Sequence, residues 1–361
     1  MLKKFTKILS ATLLCTSLCF SIASFSISAK ASSNFANGAD IGWLNQLENN
    51  GVKWQDTNGK QGDALAILKK HGVNSVRLRV FVNPPSDAQW VKRDGTKCLL
   101  GYSDTQSVIS TAKRAKKLGM KVMIDFHYSD HFADPAYQDK PTAWVTDDFN
   151  KLKNDVYSHT YSVMSALRNA GITPDWVQVG NEINGGMLWP DGSNYNYTKL
   201  SQLINSGYNA IKTVSPSSKV VIHLSSGANN SLYRTFFDGL TNAGAHFDVI
   251  GMSYYPYWDN TDYTKNINAL SYNLDDIASR YNKEVIISET GGLEKDPNNT
   301  YDMLKAVIKK VKEVPNKKGL GVFYWEPEAN SSVLPDSYPL GTTTKVSDNV
   351  LKFTKAIKAF K

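Results

Sequence analysis

An alternation of strand-like and helix-like segments is the feature that most limits the folds open to this chain. Eight segments are rich in β-formers, and runs such as Val-Val-Ile-His-Leu (220–224) have the continuous apolar character of strands buried on both faces. Helical patterns lie between consecutive strands, which implies parallel strands joined by crossovers. The predicted strands are Asn37–Trp43, Asn74–Val82, Met120–Tyr128, Trp176–Glu182, Lys219–Ser226, Phe247–Tyr255, Glu284–Thr290 and Leu320–Glu326.

The predicted helices support the same architecture. Asp63–Gly72 and Ser107–Gly119 carry apolar residues at helical spacing, and each ends in a glycine C-cap just before a strand. Strand–helix units of this number predict an α/β fold, a single-domain (β/α)8 TIM barrel. The alternative is a doubly wound open sheet, which usually has a glycine-rich phosphate loop where this chain reads Asp-Ile-Gly-Trp (40–43). The remaining predicted helices are Asn150–Gly171, Leu200–Val214, Ser231–Gly244, Asn268–Asn282 and Thr300–Val314.

The first 31 residues have the pattern of an export signal. Lys3, Lys4 and Lys7 precede an apolar stretch, and Ala-Lys-Ala (29–31) has the form that signal peptidase cleaves. The Ser and Thr content and the cleavage-like end favour a removed signal over a membrane anchor. We therefore expect a secreted, extracellular protein whose mature domain is 32–361 and which has no membrane association after cleavage.

Charge and cysteine content narrow the function classes. The net charge of +8 falls to +4 without the first 31 residues, because they contain four lysines and no acidic residue. This balance predicts no nucleic-acid partner. Of the three cysteines only Cys98 lies in the mature part, so no internal disulfide can form and the fold depends on its core. We expect a monomer.

Two glutamates stand at the carboxyl ends of predicted strands, on the face where TIM barrels carry their active sites. The fourth strand ends Gln-Val-Gly-Asn-Glu (178–182), and the seventh ends Ile-Ser-Glu-Thr (287–290). Burial of an unpaired carboxylate is costly, so a working pair explains Glu182 and Glu289 better than two separate ion pairs or helix caps. The chemistry that needs two facing carboxylates is glycoside hydrolysis.

Motifs at seven of the eight strand ends make this chain resemble family 53 of the glycoside hydrolases, the endo-β-1,4-galactanases. The resemblance spans nearly the whole mature part and follows the order of the strands. The motifs are Gly-Ala-Asp-Ile (38–41), Asn-Ser-Val-Arg-Leu-Arg-Val-Phe-Val-Asn-Pro (74–84), Asp-Phe-His-Tyr-Ser-Asp (125–130), Ala-Asp-Pro (133–135), Lys-Pro-Thr-Ala-Trp (140–144), Val-Gly-Asn-Glu-Ile (179–183), Gly-Met-Leu-Trp-Pro-Asp-Gly (186–192), Ser-Tyr-Tyr-Pro (253–256) and Phe-Tyr-Trp-Glu-Pro (323–327).

The resemblance implies that 32–361 form the catalytic domain of a galactanase that hydrolyses β-1,4-galactan or arabinogalactan with retention. Glu182 matches the general acid/base and Glu289 the nucleophile, and retention predicts carboxyl groups about 5–5.5 Å apart. The expected partner is the polysaccharide, and no cofactor is required. The alternatives are a retaining hydrolase of another β-1,4-glycan, such as mannan or cellulose, and a non-catalytic sugar-binding barrel.

Neighbours of the nucleophile are expected on the second and sixth strands. Arg77 and Arg79 share one face of a strand. We favour Arg79 as the partner of Glu289 because it is nearer the strand end, and we assign Arg77 to a salt bridge at the bottom of the barrel. Period-two parity with Gly251 and Ser253 favours Tyr255 over Tyr254 as the phenol beside Glu289.

Sugar contacts are expected on the same rim. Indole rings stack well on pyranose faces, and Trp144, Trp189 and Trp325 are the expected platforms. Trp90 and Trp258 fit stacking and loop packing equally well. Asn181, His127, Asp130 and Asp40 are expected to hydrogen-bond sugar hydroxyls, with loop stabilisation as the alternative for Asp40. A barrel metallohydrolase built on Asp125, His127 and His131 is a rival class, but it needs three or four converging ligands.

The segment after Glu289 raises the question of calcium. Asp296, Asn298, Thr300 and Asp302 alternate oxygen ligands, and some bacterial members of the family bind calcium here. The alternatives are a structural Ca²⁺ site and an Asp-Pro-Asn turn in which Thr300 caps a helix. The chain also departs from the family pattern, because Thr-Gly-Gly-Leu-Glu (290–294) stands where an aromatic residue and a proline are expected.

Overall fold

The computed structural model describes residues 35–361 and contains a closed barrel of eight parallel strands. The predicted signal at 1–31 lies outside the described residues. Neighbouring strands follow chain order around the ring, and the first strand pairs with both the second and the eighth. The predicted TIM barrel is therefore confirmed over the open sheet. The barrel strands are β1 (Ala36–Asp40), β2 (Ser75–Val80), β3 (Lys121–Phe126), β4 (Trp176–Val179), β5 (Lys219–Leu224), β6 (Val249–Tyr254), β7 (Glu284–Thr290) and β8 (Gly319–Trp325).

Acidic and amide N-caps decide where the outer helices begin. The predicted starts at Ser107 and Asn268 were late, because the side chains of Asp104 and Asp262 cap helices that begin two and five residues earlier. Among 35–361, no helix is both long and apolar enough to cross a membrane. The α-helices are α1 (Leu44–Asn49), α2 (Ala64–Lys70), α3 (Thr105–Lys117), α4 (Phe149–Asn169), α5 (Tyr197–Val214), α6 (Asn230–Asn242), α7 (Tyr263–Arg280) and α8 (Pro297–Glu313), and 3₁₀ turns lie at Thr142–Trp144, Pro315–Lys317, Ser331–Val333 and Lys355–Phe360.

The loops that follow the barrel strands contain short additional sheets. The sequence analysis did not predict these sheets because their strands are short and largely polar. Gln89–Val91 pairs with Lys97–Leu99, and Gly186–Met187 pairs with Gly192–Ser193. A four-stranded sheet connects the segment after β1 with the segment after β8. Its members are Thr343–Ser347, Val350–Phe353, Lys53–Gln55 and Gln61–Gly62.

An apolar layer inside the barrel separates its amino-terminal end from the polar groups above. A Cβ on Gly38 would lie 2.2 Å from the ring of Phe323, so this position has room only for glycine. The polar side chains at the next strand positions lie on the carboxyl side of this layer, where the cleft opens. Its members are Ala36, Met123, Trp176, Val221, Val249, Ile286 and Phe323.

Candidate active site

Glu182 and Glu289 line one cleft of about 400 Å³ at the carboxyl ends of the strands. Glu289 lies near the end of β7, and Glu182 follows β4 by three residues. The backbone of Glu182 has a φ of 46°, in the left-handed region that favours glycine. Holding such a residue there costs about 1–3 kcal/mol, and this kind of strain gathers at functional positions. The positive φ follows the turn by which the chain leaves β4 and brings Glu182 into the cleft.

Glu289 has one ion pair and one hydrogen bond inside the barrel. Arg77 Nη1 lies 2.9 Å from its Oε1, and the Tyr255 hydroxyl donates to its Oε2 at 3.2 Å. Arg77 is buried and also contacts Asp40 and Asp125. Those carboxylates outweigh the effect of burial and raise the pKa of Arg77 above its usual range. A fixed positive charge therefore stands beside Glu289, and Tyr255 rather than Tyr254 is the phenol that contacts it.

The expectation that Arg79 contacts Glu289 was wrong. Both arginines share one face of β2, but Arg79 Nη1 contacts Glu326 at 2.5 Å, at the end of β8. Two residues along a strand span about 6.6 Å, and an extended arginine side chain can reach that far toward the carboxyl end of the barrel. Arg77, one layer deeper, therefore reaches the nucleophile position, while Arg79 lies too close to the rim.

Asp40 is a structural partner of the two arginines, and its expected contact with sugar was wrong. Its side chain is fully buried. Its Oδ2 lies 2.6 Å from Arg77 Nη1, and its Oδ1 lies 3.3 Å from Arg79 Nη1. Asp40 thus balances charge beneath the cleft and does not line it.

Glu182 has one hydroxyl donor but, unlike Glu289, forms no ion pair with another residue of 35–361. The Ser253 hydroxyl lies 2.5 Å from Glu182 Oε1. Burial raises the pKa of Glu182 to about 7, against the effect of this hydrogen bond and with a further rise from Asp134. Burial and the charge of Glu182 also raise the pKa of Glu289, opposed by Arg77. When the two interacting carboxyl groups hold one proton, the charge of Arg77 and the hydroxyl of Tyr255 beside Glu289 favour placing it on Glu182.

Asn181 and His127 lie in the wall of the cleft, with their polar atoms engaged by the protein. Asn181 Oδ1 accepts from Arg77 Nη2 at 2.8 Å, and its Nδ2 donates to the carbonyl of Ala133 at 2.8 Å. His127 Nδ1 accepts from the amide of Ala133 at 2.9 Å, and its Nε2 lies 2.9 Å from Asp125 Oδ2. Both residues shape the wall around Glu182.

Aromatic rings line the cleft. Trp325 lies at the end of β8, with its ring centroid 4.7 Å from that of Trp43 and 4.7 Å from that of Tyr338. Trp258, from the loop after β6, is 54% exposed and also lines the cleft. These rings give the cleft flat apolar surfaces of the kind that sugar rings stack on.

Three other predicted sugar contacts lie away from the cleft. Trp144 is buried against His159, so the expectation that it forms a platform was wrong. Trp189 lines a neighbouring pocket that also contains the exposed Tyr195. Asp130 accepts hydrogen bonds from two loop amides at 83 and 142, and its contact with sugar stays a prediction. Trp90 packs on His131, with parallel rings 4.2 Å apart.

The four alternating residues after β7 do not converge. Asp296 caps α8 by accepting from the amide of Asn299 at 3.0 Å, so Thr300 is not the N-cap. Asn298 and Asp302 are exposed on that helix, whereas Thr300 is buried and its hydroxyl donates to the carbonyl of Leu293 at 3.0 Å. Within 35–361, no cluster of three or more His, Cys, Asp or Glu side chains is arranged to hold a metal ion. The structural calcium stays a prediction.

Sequence reasoning missed several polar groups that surround Glu182. Ser253 shares the period-two face of β6 with Tyr255, and that parity was the available signal. His223 lies inside an apolar run and gave no signal of its own. Asp134, in the Ala-Asp-Pro motif, lines the cleft beside Glu182.

The chain is similar to known proteins over almost all of the described residues. The sequence model of the family described as glycosyl hydrolase family 53 matches residues 36–360. The chain is 35% identical to the probable arabinogalactan endo-β-1,4-galactanase A of Neosartorya fischeri, over 86% of each chain. It is 33% identical to the endo-β-1,4-galactanase of Bacillus subtilis, over 88% of this chain and 73% of that one. The solved catalytic domain of this family from Ignisphaera aggregans aligns with a TM-score of 0.80 at 30% identity, over 92% of this chain and 97% of that one.

Proposed function

Since the chain belongs to glycosyl hydrolase family 53 and is a glycoside hydrolase, we propose that it is an endo-β-1,4-galactanase that cleaves β-1,4-galactan and arabinogalactan. The names of the relatives support this substrate. The observation that carries the proposal is the pair of carboxyl groups in one cleft, with Arg77 in an ion pair with Glu289, Tyr255 donating to Glu289 and Ser253 donating to Glu182. Enzymes of this family need no cofactor.

The proposed mechanism is a double displacement with retention. Glu182 gives its proton to the glycosidic oxygen while the Glu289 carboxylate attacks the anomeric carbon, so that the sugar–oxygen bond breaks and a glycosyl–enzyme ester forms. Glu182, now ionised, takes a proton from water, which attacks the same carbon and releases Glu289. Arg77 and Tyr255 keep Glu289 ionised for the first attack. They stabilise its carboxylate again when the second attack releases it.

The rings at the cleft supply the proposed grip on the sugar chain. Trp325, flanked by Trp43 and Tyr338, offers the floor beneath the bond to be cleaved. Trp258 is open to solvent and offers a platform further along the cleft. Asn181 and His127 then orient the wall rather than bind many hydroxyl groups, since their polar atoms already have protein partners.

We also propose that the protein is secreted after cleavage near residue 31 and acts as a monomer. The export pattern at 1–31 supports the first point. Amino-terminal sequencing of the protein collected from culture medium tests the cleavage site. A sequence that begins at Met1, or retention in the cell pellet, would contradict it.

The substrate is tested by incubating the secreted protein with galactan, mannan, cellulose and xylan and measuring new reducing ends. We expect release from galactan only. Activity on mannan or cellulose without galactan would reject the substrate and leave the hydrolase assignment in place. Proton NMR of the first product should show the β-anomer before mutarotation, and an initial α-anomer would reject retention.

Azide rescue separates the roles of the two glutamates. Glu289→Ala should lose several orders of magnitude in rate, and azide should restore turnover with an α-galactosyl azide as product. Glu182→Ala should hydrolyse an activated aryl galactoside far better than galactan and should give the β-galactosyl azide. Full activity of Glu289→Ala on galactan would remove Glu289 from the mechanism.

A further inference from the structure

A line of buried hydrogen bonds connects Glu182 to the strands behind it. Ser253, on β6, has its Oγ 2.5 Å from Glu182 Oε1 and 2.8 Å from His223 Nε2. His223, on β5, has its Nδ1 2.9 Å from Asn181 Oδ1. Both Ser253 and His223 are buried. The double displacement above uses neither side chain, so their arrangement needs a separate explanation.

The orientation of Asn181 fixes the tautomer of His223. Asn181 Nδ2 donates to the carbonyl of Ala133 at 2.8 Å, which leaves Oδ1 as the atom that faces the imidazole. An amide oxygen can only accept, so His223 Nδ1 carries the proton and Nε2 presents a lone pair to Ser253. Burial lowers the pKa of His223 well below its usual range, and Arg77 adds to this effect, so the ring stays neutral.

Ser253 then has one proton and two acceptors. When Glu182 is ionised, the hydroxyl donates to the carboxylate and His223 Nε2 loses its donor. When Glu182 is protonated, its carboxyl group donates to Ser253 Oγ, and the Ser253 hydroxyl donates to His223 Nε2. The protonated state satisfies every member of the line, and the ionised state leaves one buried acceptor without a donor.

We propose that Ser253 and His223 form a relay that tunes the proton of Glu182: His223 favours the protonated acid by accepting the Ser253 hydroxyl, and Ser253 favours the ionised form by donating to it. The inference rests on the acid/base role proposed for Glu182. No proton passes to His223, because rotation of the Ser253 hydroxyl only exchanges its acceptor. After proton transfer to the leaving oxygen, the same hydroxyl turns to the new carboxylate and stabilises it. Ser253 and His223 are therefore positioning residues.

Other charged and titratable groups also face the two ends of the relay. They set the common range in which Glu182 titrates and stay the same in every variant below, so the relay is measured as a difference between variants. His127 also faces His223. Glu182 faces Asp134, Arg77, Asp125, Glu289, Tyr255 and Tyr233.

The relay predicts opposite pH shifts for its two members. Ser253→Ala removes the donor to ionised Glu182, and a hydrogen bond to a charged group is the stronger one, so the alkaline limb of kcat/KM on galactan should move up by about one pH unit. His223→Leu leaves the Ser253 hydroxyl with Glu182 as its acceptor, so the limb should move down. The double variant should behave like Ser253→Ala, because His223 reaches Glu182 only through Ser253.

The leaving group supplies a second readout. A 2,4-dinitrophenyl galactobioside needs no proton from the enzyme, so Ser253→Ala should keep its kcat/KM on that substrate within about twofold and lose about tenfold on galactan. Ser75→Ala is the matched control, since Ser75 is a buried serine at the opposite end of the barrel that bonds to Asn74. It should leave both the pH profile and the substrate ratio unchanged.

The outcomes separate the relay from the proposed function. An unmoved or lowered alkaline limb in Ser253→Ala, or equal shifts in both single variants, overturns the relay. If thermal melts show that His223→Leu does not fold, His223→Met replaces it, and the direction of the Ser253→Ala shift decides alone if neither folds. If Glu182→Ala keeps its activity on galactan, the acid/base assignment itself fails. If Glu182→Ala loses galactan but keeps the dinitrophenyl substrate while Ser253→Ala shows no shift, the relay alone fails.

Discussion

Substitution of Glu328 by glutamine should stabilise the protein relative to the parent, and this difference should grow as the pH rises. Glu328 is fully buried two residues beyond Glu326, and the charges of the two carboxyl groups interact. Arg79 and the amide of Trp43 donate to Glu326, whereas neither oxygen of Glu328 receives a hydrogen bond from a donor within 35–361. Burial and the charge of Glu326 raise the pKa of Glu328 well above its usual range, so the pair shares one proton.

The size of the effect follows from proton linkage. Glu328 keeps its proton in the folded state and loses it on unfolding above pH 4.5. Its contribution to the free energy of unfolding is therefore complete below that pH and falls by about 1.4 kcal/mol per pH unit until the folded protein also loses the proton. Between pH 5.5 and 7.5 the loss is about 3 kcal/mol. A neutral glutamine, whose amide can donate to Glu326, avoids it.

Calorimetric melts at pH 5.5 and 7.5 measure the prediction. The melting temperature of Glu328→Gln relative to the parent should rise by about 4 °C between the two pH values, since an unfolding entropy of about 2.1 cal/mol/K per residue makes 1 kcal/mol worth about 1.4 °C in a domain of this length. Glu294→Gln is the matched control, because the buried Glu294 accepts from Asn330 and Ser331. It should lower the melting temperature instead. A difference between Glu328→Gln and the parent that does not change with pH would refute the shared proton.

Further predictions concern the cleft and the calcium question. Arg77→Lys should lower kcat/KM on galactan about 10²–10³-fold, because one ammonium cannot replace the guanidinium that bridges several carboxylates; a loss below fivefold contradicts this. Tyr255→Phe removes a donor from ionised Glu289, so the acid limb of the kcat/KM profile should move to higher pH. Trp258→Ala should raise KM about tenfold with little change in kcat, and a fall in kcat alone would count against stacking. EDTA should lower the melting temperature, and added Ca²⁺ should restore it, if the structural calcium is present; an unchanged midpoint rejects it.

The barrel could be predicted because its signal is local and repeated. Continuous apolar runs such as 220–224 form strands buried on both faces, and the helices between them have clear caps. The strand ends were less accurate, because the chain turns out of β4 through Gly180, at a φ of 79°, and Glu182. Periodicity indicates the spacing of apolar residues, but it does not indicate the turn that orients a side chain after the strand.

The contacts inside the ring could be predicted only in part. Parity placed Arg77 and Arg79 on one face, but depth within the barrel decides which one reaches Glu289. His223 read as strand interior because its partner, Ser253, belongs to the next strand, and their contact depends on the register that pairs His223 with Gly251. Register between distant segments is a tertiary property, so a single strand read alone does not contain it.

The left-handed backbone at Glu182 sets folding against activity. A glycine at 182 would relieve about 1–3 kcal/mol of strain, and asparagine tolerates that region better than most residues. Variants that replace this glutamate can therefore melt at higher temperatures than the active enzyme. A screen for heat resistance that ranks variants by melting temperature alone would enrich substitutions at the position proposed to deliver the proton, so the selection has to include turnover of the proposed polysaccharide substrate.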